Sequence, residues 1–308
     1  MLFKRMKFFV CLLSLFLLFS AVYSKNSVGF HPKVRKITEN IYSMGITPEW
    51  KGYKNVQTIA LIKTVNGSQA YGIAPEMFGF TELSCCSFIA PGSRWRDSTD
   101  LLVDPTNSQG LSDTFVMNAV TAAANAWDDQ VSFQIFNSIT QTTFGTPPTV
   151  SSPDGQNTVF FMDLNDLGGL SNTGSIIAVT FLHGIWGGNS LTNEVLEADI
   201  VFNVDFQFGD GDLSSSVMDL EAISAHEFGH FVGHGHSATS SLCADVTMYP
   251  TAVYGETKKR TLEDYDIACV KTLYSEPGFN DSPDNFVSSG SEIKIGMAIL
   301  FLLILGLN

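Results

Sequence analysis

The stretch HEFGHFVGHGH, residues 226–236, constrains this chain most, because it places four histidines and one glutamate within eleven positions. His226 and His230 are four residues apart, so on a helix both imidazoles lie on one face, about one turn apart. Two imidazole nitrogens at that spacing can bind one Zn²⁺. Glu227 is rotated by about 100° from His226 around the helix axis, so it can reach a metal-bound water without being a ligand.

Gly233 and His236 extend this pattern to HExxHxxGxxH. A glycine just past the second histidine lets the helix end in a left-handed turn, after which the chain can double back and His236 can supply a third nitrogen. His234 could compete as a ligand, but its spacing favours a supporting position in the loop. Three protein ligands leave one coordination position open for water, which favours a catalytic over a purely structural zinc site.

Met248 lies twelve residues after His236 and is followed by Tyr249 and Pro250. The histidine pattern with a methionine at this distance is the metzincin signature, in which the methionine forms an apolar floor beneath the metal. Ser237, the lead-in MDLEAISAHEFGH and the segment LEDYDIACVKTLY are similar to the matrixin branch, the matrix-metalloprotease-like peptidases. The likeness spans about residues 93–275 and is strongest over residues 219–250.

The resemblance implies an α+β fold: a metzincin-type zincin catalytic domain with a mixed twisted sheet, three main helices and an active-site cleft. Local patterns agree with it. DTFVMNAVTAAANAWDDQ, SSVMDLEAISAHEFGHFV and RTLEDYDIACVKTLY predict helices. VSFQIF, NTVFFMDL, SIIAVTFL and EADIVFNVDF predict strands, as does VQTIALIKTV farther upstream.

The resemblance also implies a zinc endopeptidase acting on protein or peptide substrates. His226, His230 and His236 would hold the metal, and Glu227 would act as general base. The substrate would lie along the strand that contains Ile177, Ala178, Val179 and Thr180, by β-addition, and Tyr249 and Pro250 would wall the pocket beyond the cleaved bond. Two alternatives stay open: a non-catalytic metal-binding surface or adhesion protein with this fold, and another metzincin branch.

The formal charge is −14, and residues 97–257 contain twenty acidic residues and no lysine or arginine. Such a block argues against nucleic acid or an anionic membrane as a partner. It also suggests bound cations: the loops DLNDLGG (163–169) and FGDGD (208–212) could hold Ca²⁺ or be solvated turns. The histidines of the matrixin structural-zinc site are not evident, since His183 alone is insufficient, and the propeptide pattern PRCGxPD is missing.

The chain divides by composition into five regions. Residues 1–24 predict a secretory signal peptide, with an uncleaved anchor helix as the alternative. Residues 25–92 predict a propeptide or accessory region, 93–276 the catalytic domain and 277–292 a polar linker. The apolar tail, 293–308, favours surface attachment over a buried terminal element. These regions predict a secreted protein that could be anchored at the cell surface.

Four cysteines follow the predicted signal peptide: Cys85, Cys86, Cys243 and Cys269. An even number in an exported chain suggests disulfides, whose pairing a sequence alone does not define. Cys243–Cys269 is the favoured pair, because it would join an active-site loop to the last helix; two buried thiols are the alternative. Cys85 or Cys86 could instead cap the zinc as a thiolate, or form disulfides of their own.

Overall fold

A computed structural model of the chain describes residues 35–38, 41–65, 85–167, 170, 173–187 and 192–274. The chain divides into two compact units, Met1–Lys33 and Val34–Asn308, and every described residue belongs to the second. The predicted signal peptide, polar linker and apolar tail lie outside the described residues. Among the helices that are described, none is long and apolar enough to cross a membrane.

A nine-stranded mixed sheet forms the centre of the described fold. Eight of its strands follow the order β1-β2-β3-β7-β8-β6-β4-β5, and the ninth, β11, pairs with β3 beside this order. These strands are β1 (Arg35–Thr38), β2 (Ile41–Trp50), β3 (Tyr53–Val65), β4 (Thr99–Val103), β5 (Phe136–Gln141), β6 (Thr158–Met162), β7 (Ile176–Ile185) and β8 (Glu194–Asn203). Short strands β9 (Phe208–Gly209) and β10 (Met218–Asp219) pair with each other, and β11 (Thr251–Ala252) pairs with β3. The β4–β5, β4–β6 and β6–β8 pairs are parallel, whereas β1–β2, β2–β3, β3–β7 and β7–β8 are antiparallel.

Within the described part of the chain, three α-helices accompany this sheet: α1 (Asp113–Asp128), α2 (Leu220–Phe231) and α3 (Asp264–Tyr274). The Ser112 side chain caps α1 by accepting from the backbone N–H of Phe115, and Asp219 caps α2 by accepting from Ala222. Trp127 of α1 and Phe228 of α2 belong to the main core, which lies between the helices and one face of the sheet. The predicted α+β class, with a mixed sheet and three main helices, is confirmed.

The opposite face of the sheet carries a second apolar cluster, which includes Tyr42, Ile62, Phe181 and Val201. Alternation along β3 separates the two faces, since Leu61 joins the main core and Ile62 joins this second cluster.

Residues 25–92 were expected to be separate from the catalytic domain, but their strands complete its sheet. Strand β3 pairs with β7 from Gln57 opposite Gly184 to Thr64 opposite Ile176. Strand β7 is buried along nearly its whole length and would otherwise present an unpaired edge. That this segment is a propeptide or accessory region stays a prediction.

Candidate active site

Helix α2 and the loop that follows it bring the three predicted metal ligands together. His226, His230 and His236 each offer one ring nitrogen, and these three atoms lie within 4.8 Å of one another. All three side chains are buried. The Nε2 atoms of His230 and His236 are 3.1 Å apart, and Nε2 of His226 has no hydrogen-bond partner although it is buried.

Backbone carbonyl groups orient these imidazoles. Nδ1 of His226 lies 2.7 Å from the carbonyl oxygen of Thr247, and Nδ1 of His230 lies 2.9 Å from that of His234. A proton on each Nδ1 can be donated to its carbonyl, which leaves the Nε2 lone pair available for a metal. Burial lowers the pKa of His230 to about 3 and lowers the pKa of His226 and His236 well below the usual value, so the rings are neutral. Neutral, convergent and incompletely partnered nitrogens fit a zinc ion.

The chain reverses direction at Gly233, as the sequence predicted. Its φ is +108°, and an added Cβ would overlap the carbonyl oxygen of Ser93, so only glycine fits. The ring of His234 packs against Trp127, with ring centroids 4.8 Å apart. His234 is not in the ligand group and contributes its carbonyl oxygen to His230 instead.

Met248 lies buried behind α2, against Gly229. An added Cβ at Gly229 would overlap the Met248 sulfur and lie 2.7 Å from Trp127, so the helix and this turn are in close contact. The Asp266 carboxylate of α3 accepts from the backbone N–H groups of Thr247 at 2.9 Å and Met248 at 3.3 Å. Sequence reasoning missed Asp266, because an acidic residue in the first turn of a helix is ordinary in itself.

Glu227 is fully buried and points towards β7. Its Oε2 accepts from the Thr180 hydroxyl at 2.6 Å, whereas its Oε1 has no hydrogen-bond partner. Burial raises the pKa of Glu227 to about 8, and the Thr180 hydrogen bond and the Lys63 charge oppose that rise. Thr180 was predicted only as part of the substrate strand, and its contact with Glu227 was not foreseen.

The edge of β7 that was predicted to receive the substrate is already occupied by β3. Ala178 lies opposite Lys63, and Val179 lies opposite Ile62. A strand of the same chain therefore satisfies the backbone groups that a substrate would pair with. That a substrate binds along β7 stays a prediction.

The other predicted wall of the cleft also contacts β3. The Thr64 N–H donates to the carbonyl oxygen of Pro250 at 3.2 Å, and β11 runs parallel to β3 at Thr64 and Val65. Strand β3 thus lies between β7, which is antiparallel to it, and the segment that contains Tyr249 and Pro250. It takes the position that the sequence predicted for a substrate.

Lys63 carries the closest contact between β3 and the histidine site. Its side chain is fully buried, and its Nζ donates to the carbonyl oxygen of Tyr249 and lies 3.1 Å from Nδ1 of His226. Burial, reinforced by the charge of Lys259, lowers the pKa of Lys63 well below its usual value. Nothing in the local sequence around Lys63 indicated this placement, since it depends on pairing with residues more than a hundred positions away.

The predicted Cys243–Cys269 disulfide is wrong. Cys85 bonds to Cys243 and Cys86 bonds to Cys269, with Cα atoms 5.3 and 5.7 Å apart. The two neighbouring cysteines face different surroundings: Cys85 packs with Cys243 and Val246, whereas Cys86 and Cys269 lie in the main core. Neither Cys85 nor Cys86 is therefore a thiolate available to cap a metal.

Arg260 makes ion pairs with the acidic loop FGDGD. Its guanidinium contacts Asp210 at 2.6 Å and Asp212 at 2.8 Å, and it also binds Asp219, which caps α2. Of the second loop, Asp163 accepts from the backbone and side chain of Asn165, and residues 168–169 lie outside the described part. The calcium expectation receives no support from these contacts.

Comparisons with known proteins agree with this geometry. Residues 172–275 match the family described as Matrixin. Metalloendoproteinase 4-MMP of Arabidopsis thaliana is 40% identical over 77 residues, which is 25% of this chain and 20% of that protein. Metalloendoproteinase 2-MMP of the same plant is 37% identical over 76 residues, or 23% of this chain and 19% of that protein. The matched stretch thus spans about a fifth of either relative. Residues 172–275 are similar to the matrixin family, as the histidine pattern predicted.

Proposed function

We propose that this chain is an exported zinc-dependent endopeptidase that hydrolyses peptide bonds of protein substrates. The observation that carries the proposal is the convergence of three neutral imidazoles beside a carboxylate oxygen, Glu227 Oε1, that has no hydrogen-bond partner. His226, His230 and His236 would hold the metal. A zinc ion bound there would supply a Lewis acid and lower the pKa of a bound water.

Glu227 would take a proton at Oε1 and deliver it to the leaving amine. The Thr180 hydroxyl binds Oε2, so it fixes the carboxylate while leaving Oε1 free. The apolar core around α2 keeps bulk water away from this carboxylate and holds it at a raised pKa. A carboxylate in such surroundings is a stronger proton acceptor than an exposed one.

Residues 25–92 would act as a propeptide, because β3 fills the place of the substrate. A cut between Val65 and Cys85 would separate β1, β2 and β3 from the rest of the chain. The two disulfides would retain Cys85 and Cys86 on the catalytic domain. Once β3 has left, an extended peptide could pair with β7 at Ala178 and Val179 and contact Tyr249 and Pro250.

The test uses the full chain with a site-specific protease recognition sequence inserted between Val65 and Cys85. We expect casein hydrolysis by the wild type to rise strongly after the cut, to stop with a chelator, and to fall by at least a thousandfold in the cut Glu227→Gln variant, as for loss of an essential acid–base group. Full activity of the cut Glu227→Gln protein would refute the mechanism. A cut wild-type protein that binds zinc but hydrolyses no casein or peptide library would favour the non-catalytic alternative.

Export is supported by two disulfides, which persist in oxidising compartments. The predicted signal peptide and the surface attachment through residues 293–308 remain predictions about parts of the chain outside the described residues. Mass spectrometry of the mature protein would locate both ends. An intact N-terminus in protein recovered from the culture medium would contradict signal-peptide cleavage.

A further inference from the structure

The loop that follows α2, residues 233–237, lies against residues 85–93, the supporting segment. An antiparallel β-bridge pairs Phe88 of the supporting segment with His234 of the loop. Their rings are also in contact, edge to face, with centroids 5.9 Å apart. This loop carries His236, the third residue of the histidine group. The position of His236 therefore depends on a part of the chain that lies well before the histidine pattern.

Ser87 makes the closest polar contacts between the supporting segment and this loop. Its hydroxyl donates to the backbone carbonyl oxygen of His236 at 2.6 Å. Its own carbonyl oxygen accepts from the N–H of Gly235 at 3.0 Å. An added Cβ at Gly235 would lie 2.6 Å from the Ser87 hydroxyl oxygen, so the two pieces of chain fit closely. Ser87 thus holds the backbone of the loop at His236 itself and at the residue before it.

The ring of His236 lacks the kind of contact that orients the other two rings. Nδ1 of His226 and Nδ1 of His230 each face a backbone carbonyl oxygen. Nδ1 of His236 is buried and has no hydrogen-bond partner in the described part of the chain. Metal-binding histidines normally rely on such an outer contact for their orientation. The orientation of His236 therefore follows from its backbone, which Ser87 holds by a hydrogen bond.

The Cys85–Cys243 disulfide fastens the supporting segment beside this loop. It joins two positions that are 158 residues apart, one just before Ser87 and one after His236. Both sulfur-bearing residues are buried and pack with Val246 in a small cluster of their own. A covalent link of this kind restricts how far the two pieces of chain can separate.

The Cys86–Cys269 disulfide lies in different surroundings. Both of its cysteines belong to the main core, and Cys269 is part of α3. The two bonds formed by neighbouring cysteines should therefore have different effects. The first bond holds the supporting segment at the histidine loop, and the second joins that segment to the last helix.

We propose that Ser87, held in place by the Cys85–Cys243 disulfide, is a positioning residue for His236 and so raises the zinc affinity of the histidine site. Ser87 can act in this way only if zinc binds there, so the proposal rests on the proposed function. After a cut between Val65 and Cys85, Ser87 would lie close to a new chain end. Chain ends fray unless they are tied down, and the disulfide supplies that tie.

The test measures the zinc affinity of the full-length chain by competition with a fluorescent chelator. His236→Ala identifies the zinc binding that belongs to the histidine site. We expect Ser87→Ala to weaken that binding by about 10–100-fold, as for loss of an outer contact of a metal ligand. An affinity of Ser87→Ala equal to that of the wild type would overturn the proposal. Wild-type protein that binds no zinc at this site would refute the proposed function as well.

Ser98→Ala is the matched control for Ser87→Ala. Ser98 is exposed, and its hydroxyl also donates to a backbone carbonyl oxygen, that of Gln134. Its replacement removes the same kind of hydrogen bond away from the histidine loop, so the zinc affinity should equal that of the wild type. Equal losses of affinity in Ser98→Ala and Ser87→Ala would overturn the assignment to Ser87.

Two further readouts separate positioning of His236 from a general effect on the fold. The visible absorption of bound Co²⁺ reports the geometry of its ligands, and it should change in Ser87→Ala. The urea midpoint of the metal-free protein should be the same in Ser87→Ala and Ser98→Ala. A lower midpoint in Ser87→Ala together with an unchanged Co²⁺ spectrum would indicate a purely structural role and would overturn the proposal.

Paired cysteine variants test the part played by the disulfide. Cys85→Ala with Cys243→Ala should weaken zinc binding at least as much as Ser87→Ala does. Cys86→Ala with Cys269→Ala should lower the urea midpoint and leave the zinc affinity close to that of the wild type. Equal zinc affinities of the two paired variants would overturn the role of the Cys85–Cys243 bond. If either paired variant does not fold, Ser87→Ala decides the proposal, because it keeps all four cysteines.

Discussion

Replacing Lys63 with glutamate should open the cleft of the uncut chain. The wild-type side chain is fully buried and donates to the carbonyl oxygen of Tyr249. A glutamate loses that donor, faces an acceptor with a carboxylate, and lies in the same buried region as Glu227, whose charge already acts on Lys63. Breaking a buried charged contact typically costs about 3–5 kcal/mol.

A cost of about 3 kcal/mol in the docking of β3 raises the undocked fraction about a hundredfold, since each 1.4 kcal/mol is a factor of ten. We therefore expect casein hydrolysis by the uncut Lys63→Glu chain to exceed that of the uncut wild type by about a hundredfold. The assay is the initial rate of fluorescent casein hydrolysis at equal protein concentration and saturating zinc.

Lys54→Glu is the matched control, because it makes the same charge change on an exposed residue of β3. It should leave the uncut rate unchanged. After the cut between Val65 and Cys85, the Lys63→Glu and wild-type enzymes should be equally active, since β3 has left both. Equal rates of the uncut Lys63→Glu and wild-type chains would refute the assignment of β3 as the blocking strand.

Three further substitutions test the packing and the proposed chemistry. Gly229→Ala should destabilise the fold by about 3 kcal/mol through overpacking against Met248, which urea unfolding measures. In the control Gly145→Ala the added Cβ has no atom within 4 Å, so its urea midpoint should equal that of the wild type. Equal midpoints for the two variants would contradict the packing. Arg260→Ala should lower the unfolding free energy by roughly 2–3 kcal/mol, because it removes charged hydrogen bonds to Asp219. A change below about 0.5 kcal/mol, as for a neutral surface substitution, would contradict this prediction. Thr180→Val removes the hydrogen bond to Glu227, so it should lower kcat/KM of the cut enzyme about 10–100-fold with little change in zinc content. An unchanged kcat/KM would show that Thr180 does not position the carboxylate.

The histidine site was predictable because its main residues lie within eleven consecutive positions. Helical spacing alone places His226 and His230 on one face of α2, and the positive φ of Gly233 follows from its position after the helix. The strands and helices of the domain could also be predicted from the sequence, because their apolar periodicity and caps are local features.

The occupant of the cleft was not predictable, because it depends on contacts between distant parts of the chain. A basic segment with exposed Lys51 and Lys54 suggested a separate region, yet Lys63 of that segment is buried beside the histidines. The disulfide pairing failed for the same reason, since four cysteines allow three connectivities and only the fold selects one. His183 was considered alone, because its neighbours Glu197 and Asp199 lie beside it only through the pairing of β7 with β8.

The most direct test of the account is an anomalous difference map, recorded at the zinc absorption edge from crystals of the full chain grown with Zn²⁺. We expect a peak about 2.1 Å from Nε2 of His226, His230 and His236, with the Glu227 carboxylate next to it and not bound to the ion. A map without a peak among these three rings, or with the rings turned away from one another, would contradict the zinc site and the peptidase assignment built on it.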